Sequence, residues 1–317
     1  MFFDGIKVCK NVYFCILKCL DDFDIRKMEL VNKYSYEIVK DKFENIHNQD
    51  GLTLMLKSDN VWAFEKYVNL DNKGLICGKA ARYGALNILK YMKIKGCKIN
   101  DYKIPFISAK YGNLSCLKYA FEKGGDLKRD VAEIAFKHGN FECFKYAIEN
   151  KGDWTVDLFY ESVARNDKYL FFKYLHEKGC MITHYIVELC MYSGNMDCME
   201  YIYKQNYGFS EEIYYSAARK GYLNFLKFFN AKGLMKKTCG MLCIFAIEFG
   251  NLECLKYLHK NGYYCDEYTC AVAARTGNLE FLKYLHENGC PWDKTTIIEA
   301  YYRKNANCYE YAIQNGL

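Results

Sequence analysis

Three histidines share one local context, Lys-Tyr-Leu-His, at His176, His259 and His286. Cysteines recur in the same way at Cys116, Cys143, Cys198 and Cys254, and acids at Glu142, Glu253 and Glu280. Gathered at one point, such imidazoles, thiolates and carboxylates would ligate zinc or carry acid–base chemistry. Their spacing argues otherwise. Each set supplies one residue per copy of a repeated segment, so successive members sit on successive helix pairs, ~10 Å apart and too distant to share an ion. No Cys-x-x-Cys pair occurs, and Cys15–Cys19 and Cys239–Cys243 have no second pair nearby. A phosphate-binding glycine loop, a Gly-x-Ser-x-Gly elbow and a His-Glu-x-x-His motif are all missing. The expectation is a non-enzymatic chain with no catalytic residue, no metal site and no cofactor.

The element that carries these residues is a repeat. GNLEFLKYLHENG, Gly277–Gly289, has a near-copy in GNLECLKYLHKNG, Gly250–Gly262. Further copies begin at Gly84, Gly112, Gly139, Asp167, Gly194 and Gly221, with worn copies at Asn60 and Lys304. From Gly84 onward the step is 27 to 29 residues, and only the first step, Asn60 to Gly84, is shorter, at 24. A period of this size marks a stacked architecture in which each unit buries its apolar face against its neighbours.

Each unit reads as two short helices and a turn. In the Gly277 copy Leu279, Leu282 and Leu285 form a helical stripe with Phe281 beside it. Asn278 stands at the N-cap position, Glu280 places an acid in the first turn, and Gly289 closes the helix in the left-handed conformation. Gly96, Gly124, Gly179, Gly233, Gly262 and Gly316 close other copies, and Asn72 and Asn206 do so in two more. Lys151 breaks that rule beside Gly152, so a turn shifted by one residue is expected there. A second helix upstream carries small pairs, Ala80-Ala81, Ser108-Ala109, Ala217-Ala218 and Ala273-Ala274, which let helices approach closely. The Tyr of the Lys-Tyr-Leu context, such as Tyr91 or Tyr257, is assigned to the core, and the histidines to plain surface.

Small-small-x-x-Gly-Asn-Leu-x-x-Leu-x-x-Leu-x-x-x-Gly resembles the ankyrin repeat. Thr269-Cys270-Ala271-Val272-Ala273-Ala274 falls where that family has its Thr-Pro-Leu-His-x-Ala box. The resemblance implies an all-α ankyrin-repeat solenoid of about ten short helix-pair units. A usual ankyrin unit is ~33 residues. The deficit here falls between Gly262 and Thr269, so the hairpin fingers of the family are abbreviated. The wording of Lys283–Asp293, KYLHENGCPWD, is similar to ankyrin proteins encoded by large DNA viruses of amoebae, over roughly residues 50–317.

The 317 residues divide into a leader, 1–45, a linker, 46–58, and the array, 59–317. In the leader Val8, Val12, Ile16, Leu17 and Leu20 share a helical face, Asp24 caps a second helix, and Leu30-Val31-Asn32-Lys33 closes it. This order resembles an F-box, with Cys9 in place of its Pro and no Trp after Lys33. The resemblance implies docking on the Skp-family linker subunit of a cullin–RING ubiquitin ligase through Val12, Ile16, Leu17, Leu20 and Val31. A polar-faced helical cap for the array is the other reading of the same residues.

Net charge is +6, from 44 basic and 38 acidic residues interspersed along the chain, which does not suit nucleic-acid binding. Seventeen cysteines, an odd number in a long chain without a signal peptide, read as small buried hydrophobes of an intracellular, reducing compartment. The apolar run Val12–Leu17 is too short to span a membrane. A surface is what remains. Two residues before each marker stand Arg82, Lys110, Lys137, Arg165, Arg219 and Arg275, interrupted by Tyr192 and Glu248. In the ankyrin family this slot edges the concave groove, and a basic row there attracts an acidic partner. The next slot varies, with Tyr83, Tyr111, His138 and Phe249 among its occupants. Exposed aromatics in a rigid groove anchor protein partners. The resulting expectation is an adaptor that holds a target protein in the groove and recruits a ligase through the leader, or a bare scaffold or decoy that binds a host protein and recruits nothing.

Overall fold

The computed structural model describes residues 49–316, apart from 60, 62, 63, 66, 67, 69, 71, 72, 100–102, 128, 153 and 239. The leader and its docking residues Val12, Ile16, Leu17, Leu20 and Val31 lie outside the described residues. Helix α1 (Gln49–Ser58) falls in the stretch read as linker, and from Lys73 onward nine helix pairs follow among the described residues. They are α2 (Lys73–Tyr83) with α3 (Leu86–Ile94), α4 (Lys103–Lys110) with α5 (Leu114–Glu122), and α6 (Arg129–Lys137) with α7 (Phe141–Glu149). Next come α8 (Asp157–Ala164) with α9 (Tyr169–Glu177), α10 (His184–Ser193) with α11 (Met196–Lys204), and α12 (Glu211–Lys220) with α13 (Leu223–Ala231). The last are α14 (Met241–Glu248) with α15 (Leu252–Lys260), α16 (Glu267–Thr276) with α17 (Leu279–Glu287), and α18 (Lys294–Tyr302) with α19 (Ala306–Gln314). None of the described residues forms a strand, so the connections that could hold hairpin fingers are short loops. The chain divides into two compact units, one reaching Leu158 and one beginning at Phe159.

Small residues set the packing between first helices. Ala80, Ala81, Ala109, Ala217, Ala218, Ala273 and Ala274 are fully buried where neighbouring first helices pack. In the first unit Leu56 and Phe64 join Ile76, Ile88, Leu89, Met92 and Ile104 in one core, so α1 shares the core of the pair that follows it. The recurrent cysteines Cys116, Cys143, Cys198 and Cys254 are free and buried, at the apolar slot expected for them. Cys77 and Cys97, twenty residues apart and both buried, bring their sulfur atoms into contact.

Turn chemistry follows the repeat. Gly96, Gly124, Gly179, Gly233, Gly262, Gly289 and Gly316 all have positive φ, and Asn206 takes it at 58°. Lys151 is a correction. It adopts φ 67° itself, with no shift of the turn, and Gly152 serves a different purpose, since a Cβ there would stand 2.6 Å from the Ala147 carbonyl oxygen. The marker asparagine is a second correction. Asn113, Asn140, Asn251, Asn278 and Asn305 occupy the N-cap position, but none makes a side-chain cap bond. Four of these side chains reach the preceding pair instead. Asn113 Nδ2 donates to the carbonyls of Ala81 and Arg82 (2.7 and 2.8 Å), and Asn140 Nδ2 to those of Ala109 and Lys110 (both 2.8 Å). Asn251 does the same to Ala218 and Arg219, and Asn305 to Ala274 and Arg275. Last-turn carbonyls have no partner within their own helix, so an amide from the next unit satisfies them. Only Asn195 also caps its own helix, accepting from Cys198 N–H while donating to Val163 O.

The pair α8/α9 lacks the marker. Asp167-Lys168-Tyr169 replaces Gly-Asn-Leu, Arg165 stays extended, and a 3-10 turn over Asn166–Lys168 joins the helices. Lys168 is buried there with its ammonium 3.1 Å from Asp167. Burial acts to raise the Asp167 carboxyl, but bonds from Arg165 and Lys168 overcome it and hold the group below its usual range.

Candidate protein-binding face

The brace that satisfies the first-helix carbonyls also fixes the residues expected to meet a partner. Arg82, Lys110, Arg219 and Arg275 each carry one of the carbonyls clamped by an asparagine of the next pair. Their side chains therefore start from a rigid backbone. What they then touch differs between the two units.

In the first unit the cations meet rings. The Arg82 guanidinium lies 5.7 Å from the Tyr83 ring centre and 4.9 Å from that of Tyr111. Lys57 stands over the Tyr83 ring and Lys110 over the Tyr111 ring, at 5.8 and 5.7 Å. Tyr111 is exposed and Tyr83 half-buried. Lys137 is exposed at the same place on α6, followed by exposed His138, whose Nδ1 is 3.1 Å from the Ile134 carbonyl.

In the second unit the arginines meet carboxylates, which corrects the expectation of an open basic row. Arg165 pairs with Asp167 at 3.2 Å and Glu161 at 3.6 Å. Arg219 binds Glu212 at 2.6 Å and lies 3.9 Å from the Phe245 ring centre. Arg275 binds Glu248 at 2.6 Å. Glu248 is thus no gap in the row but the counter-charge of the next unit. Partial burial acts to lower the Arg275 pKa, and the Tyr268 hydroxyl, Glu248 and Glu299 outweigh it and hold the guanidinium above its ordinary value. Two rings of the face stay open: Tyr192, within the row itself, is 76% exposed, and Phe249, in the next slot, 59%. Between α16 and α18 a cleft of about 400 Å³ is lined by Asp266, Glu267, Tyr268, Arg275, Asp293 and Glu299. Asp266 and Thr269 close the start of α16 as a capping box, and Asp293 caps α18 through Thr295 N–H.

The histidines are not plain surface residues, and the repeated tyrosines are not plain core. His176, His259 and His286 each share a hydrogen bond through Nδ1 with the hydroxyl of the repeated tyrosine one unit on, Tyr201, Tyr284 and Tyr311, at 2.9, 3.3 and 2.9 Å. Asn230 fills the histidine slot and donates to Tyr257 Oη, while Phe121–Tyr146 and Tyr203–Phe228 make the same contact edge to face. The slot is a rung between second helices. Its residues are spread along the stack, and among the described residues no group of three or more His, Cys, Asp and Glu side chains is placed to hold a metal ion. No helix among them is long and apolar enough to cross a membrane.

Residues 242–286 match the family described as Ankyrin repeats (many copies). That segment holds α14 to α17, the Glu248–Arg275 pair and the Asp266–Thr269 box. No curated protein matches the chain. Among solved structures 63 chains match, and one is the human ASB11 ankyrin repeat domain. It is 14% identical over 68% of this chain and 84% of that one, with a TM-score of 0.24. The fold is an all-α stack of ankyrin-type helix pairs, and such repeats are protein-interaction scaffolds.

Sequence reasoning missed Lys57, Glu161 and Glu212 as parts of this face. A signal for Glu212 was present, because it precedes Arg219 by two helical turns and so shares its side of α12. Lys57 gave none, standing in a stretch read as linker.

Proposed function

We propose that the chain is a non-enzymatic adaptor in which the array holds a target protein and the leader docks on the Skp-family linker subunit of a cullin–RING ubiquitin ligase. Tethering target and ligase on one chain raises their effective concentration, so that transfer becomes intramolecular. The observation that carries the target-binding half is a contrast across two neighbouring slots. The backbone of Arg82, Lys110, Arg219 and Arg275 is clamped by the next unit, while Tyr192 in the same slot and Tyr111 and Phe249 in the next one stay exposed. Rigid backbone with open aromatic anchors is the composition of a binding surface. The viral wording of Lys283–Asp293 makes a host protein the class of target we favour.

The ligase half rests on the leader pattern. Binding of the purified chain to a eukaryotic Skp-family linker, compared with a Leu17→Asp/Val31→Asp variant, tests it. Binding by the intact chain that is lost in a variant with unchanged circular dichroism supports the adaptor. An intact chain that does not bind leaves the bare scaffold or decoy.

A further inference from the structure

We propose that the first unit presents a docking site for an acidic peptide segment of the partner protein, formed by the stack Lys57, Tyr83, Arg82, Tyr111 and Lys110. The inference rests on the adaptor reading and names the chemistry of its partner. In this stack three cations alternate with two rings, each cation within 5.8 Å of a ring centre. Among the described residues none of the three cations has a carboxylate within ion-pair distance. In the second unit the equivalent arginines are neutralised by Glu161 and Asp167, Glu212 and Glu248. One slot of one repeat therefore carries unspent positive charge in the first unit and spent charge in the second. An anionic partner gains most from the unspent end.

The rings decide which anion. Base stacking needs an open aromatic face. Tyr83 lies against Lys57 and Arg82, and the exposed Tyr111 against Arg82 and Lys110, so a base would compete with a cation at either ring. A guanidinium held over a ring keeps its N–H edges outward, in the planar fork that matches a carboxylate. Asn113 clamps the Arg82 carbonyl and Asn140 that of Lys110, so the backbone from which the fork and the ammonium extend is fixed before a partner arrives. Side chains already ordered on rings lose less freedom on binding. The site fits spaced Asp or Glu side chains of an extended segment.

The test uses the full chain and a fluorescein-labelled oligoglutamate peptide, with fluorescence anisotropy at low and high salt. We expect saturable binding that weakens with salt, and a loss of about tenfold or more in Arg82→Gln/Lys110→Gln. Arg219→Gln/Arg275→Gln, in the paired slots, should change affinity by less than about twofold. Circular dichroism of both variants shows that the stack still folds. Equal losses in the two variants, an unaffected first variant, or an oligothymidylate that binds as tightly as oligoglutamate would each overturn the proposal. A chain that ignores oligoglutamate yet binds the Skp-family linker overturns this site alone and leaves the adaptor standing.

Discussion

Asn113 sits directly over Gly84. Its Oδ1 would be 2.7 Å from a Cβ at that glycine, and its Nδ2 holds the Ala81 and Arg82 carbonyls just before it. Gly84 therefore meets two demands, a φ of 75° and room for the next unit's asparagine. Gly96 meets only the first, with φ 85° and nothing within 4 Å.

Gly84→Ala and Gly96→Ala share the left-handed penalty of ~1–2 kcal/mol. Gly84→Ala should cost about 1–3 kcal/mol more, because the displaced amide leaves two carbonyls unsatisfied. Urea unfolding of the two variants measures the difference. In an Asn113→Ala background the gap should close. A gap that persists there would mean the brace does not set the glycine.

The rungs between second helices give a second expectation. His286 and Tyr311 share a 2.9 Å hydrogen bond with their rings edge to face, so a double-mutant cycle with His286→Ala and Tyr311→Phe or Ala should show coupling of ~1 kcal/mol. Pairing His286→Ala with Tyr257→Ala, which belongs to another rung, should be near additive. Equal coupling in both cycles would remove the ladder.

Alkaline pH should destabilise the fold. Burial pushes the thiol of Cys116 up to about 12 and those of Cys143 and Cys254 up to about 11, from an ordinary 9.0. Below pH 9.0 both folded and unfolded chains keep these thiols protonated, and the stabilisation is complete. As pH rises further the unfolded chain ionises first, so stability falls through the folded values and is lost by about 12. Melting temperature followed against pH checks this, and a flat profile from pH 8 to 11 would contradict it. Native-state labelling by a thiol reagent at pH 8 should be slow for the same three residues.

Truncating the open aromatics should separate binding from stability. Tyr192→Ala and Phe249→Ala remove rings that are 76% and 59% exposed, and should move unfolding free energy by no more than ~0.5 kcal/mol. Phe228→Ala, in the same unit but 9% exposed, should cost ~3–5 kcal/mol. Denaturant titration of the three variants orders them, and a large loss at Tyr192 or Phe249 would reassign that ring to the frame.

The helix pairs and the left-handed glycines were legible because their signals are local. Leu279, Leu282, Leu285 and Gly289 report on one another within a few turns of one helix. The cysteine slot was legible too, since Cys254 replaces Phe281 in a copy that otherwise differs only at Lys260 for Glu287. The braces and rungs were not. Asn113 and Ala81 are 32 residues apart, and His286 and Tyr311 are 25 apart, so each bond exists only once the units are stacked. Read locally, the asparagine looks like a cap and the histidine like surface. The basic row failed for a related reason: Arg275 and its counter-charge Glu248 lie on different helices, and a charge read along one helix cannot show its partner on the next.

The most direct test of the array as a protein-binding scaffold is site-specific photo-crosslinking. A benzophenone side chain would be placed in turn at Tyr111, Tyr192 and Phe249, and at Ile94, which is 82% exposed at the end of α3. In cells expressing the full chain, adducts would be identified by mass spectrometry. The account predicts one discrete protein adduct shared by Tyr111, Tyr192 and Phe249 and absent from Ile94. Adducts from Ile94 alone, or none from any slot position, would contradict it.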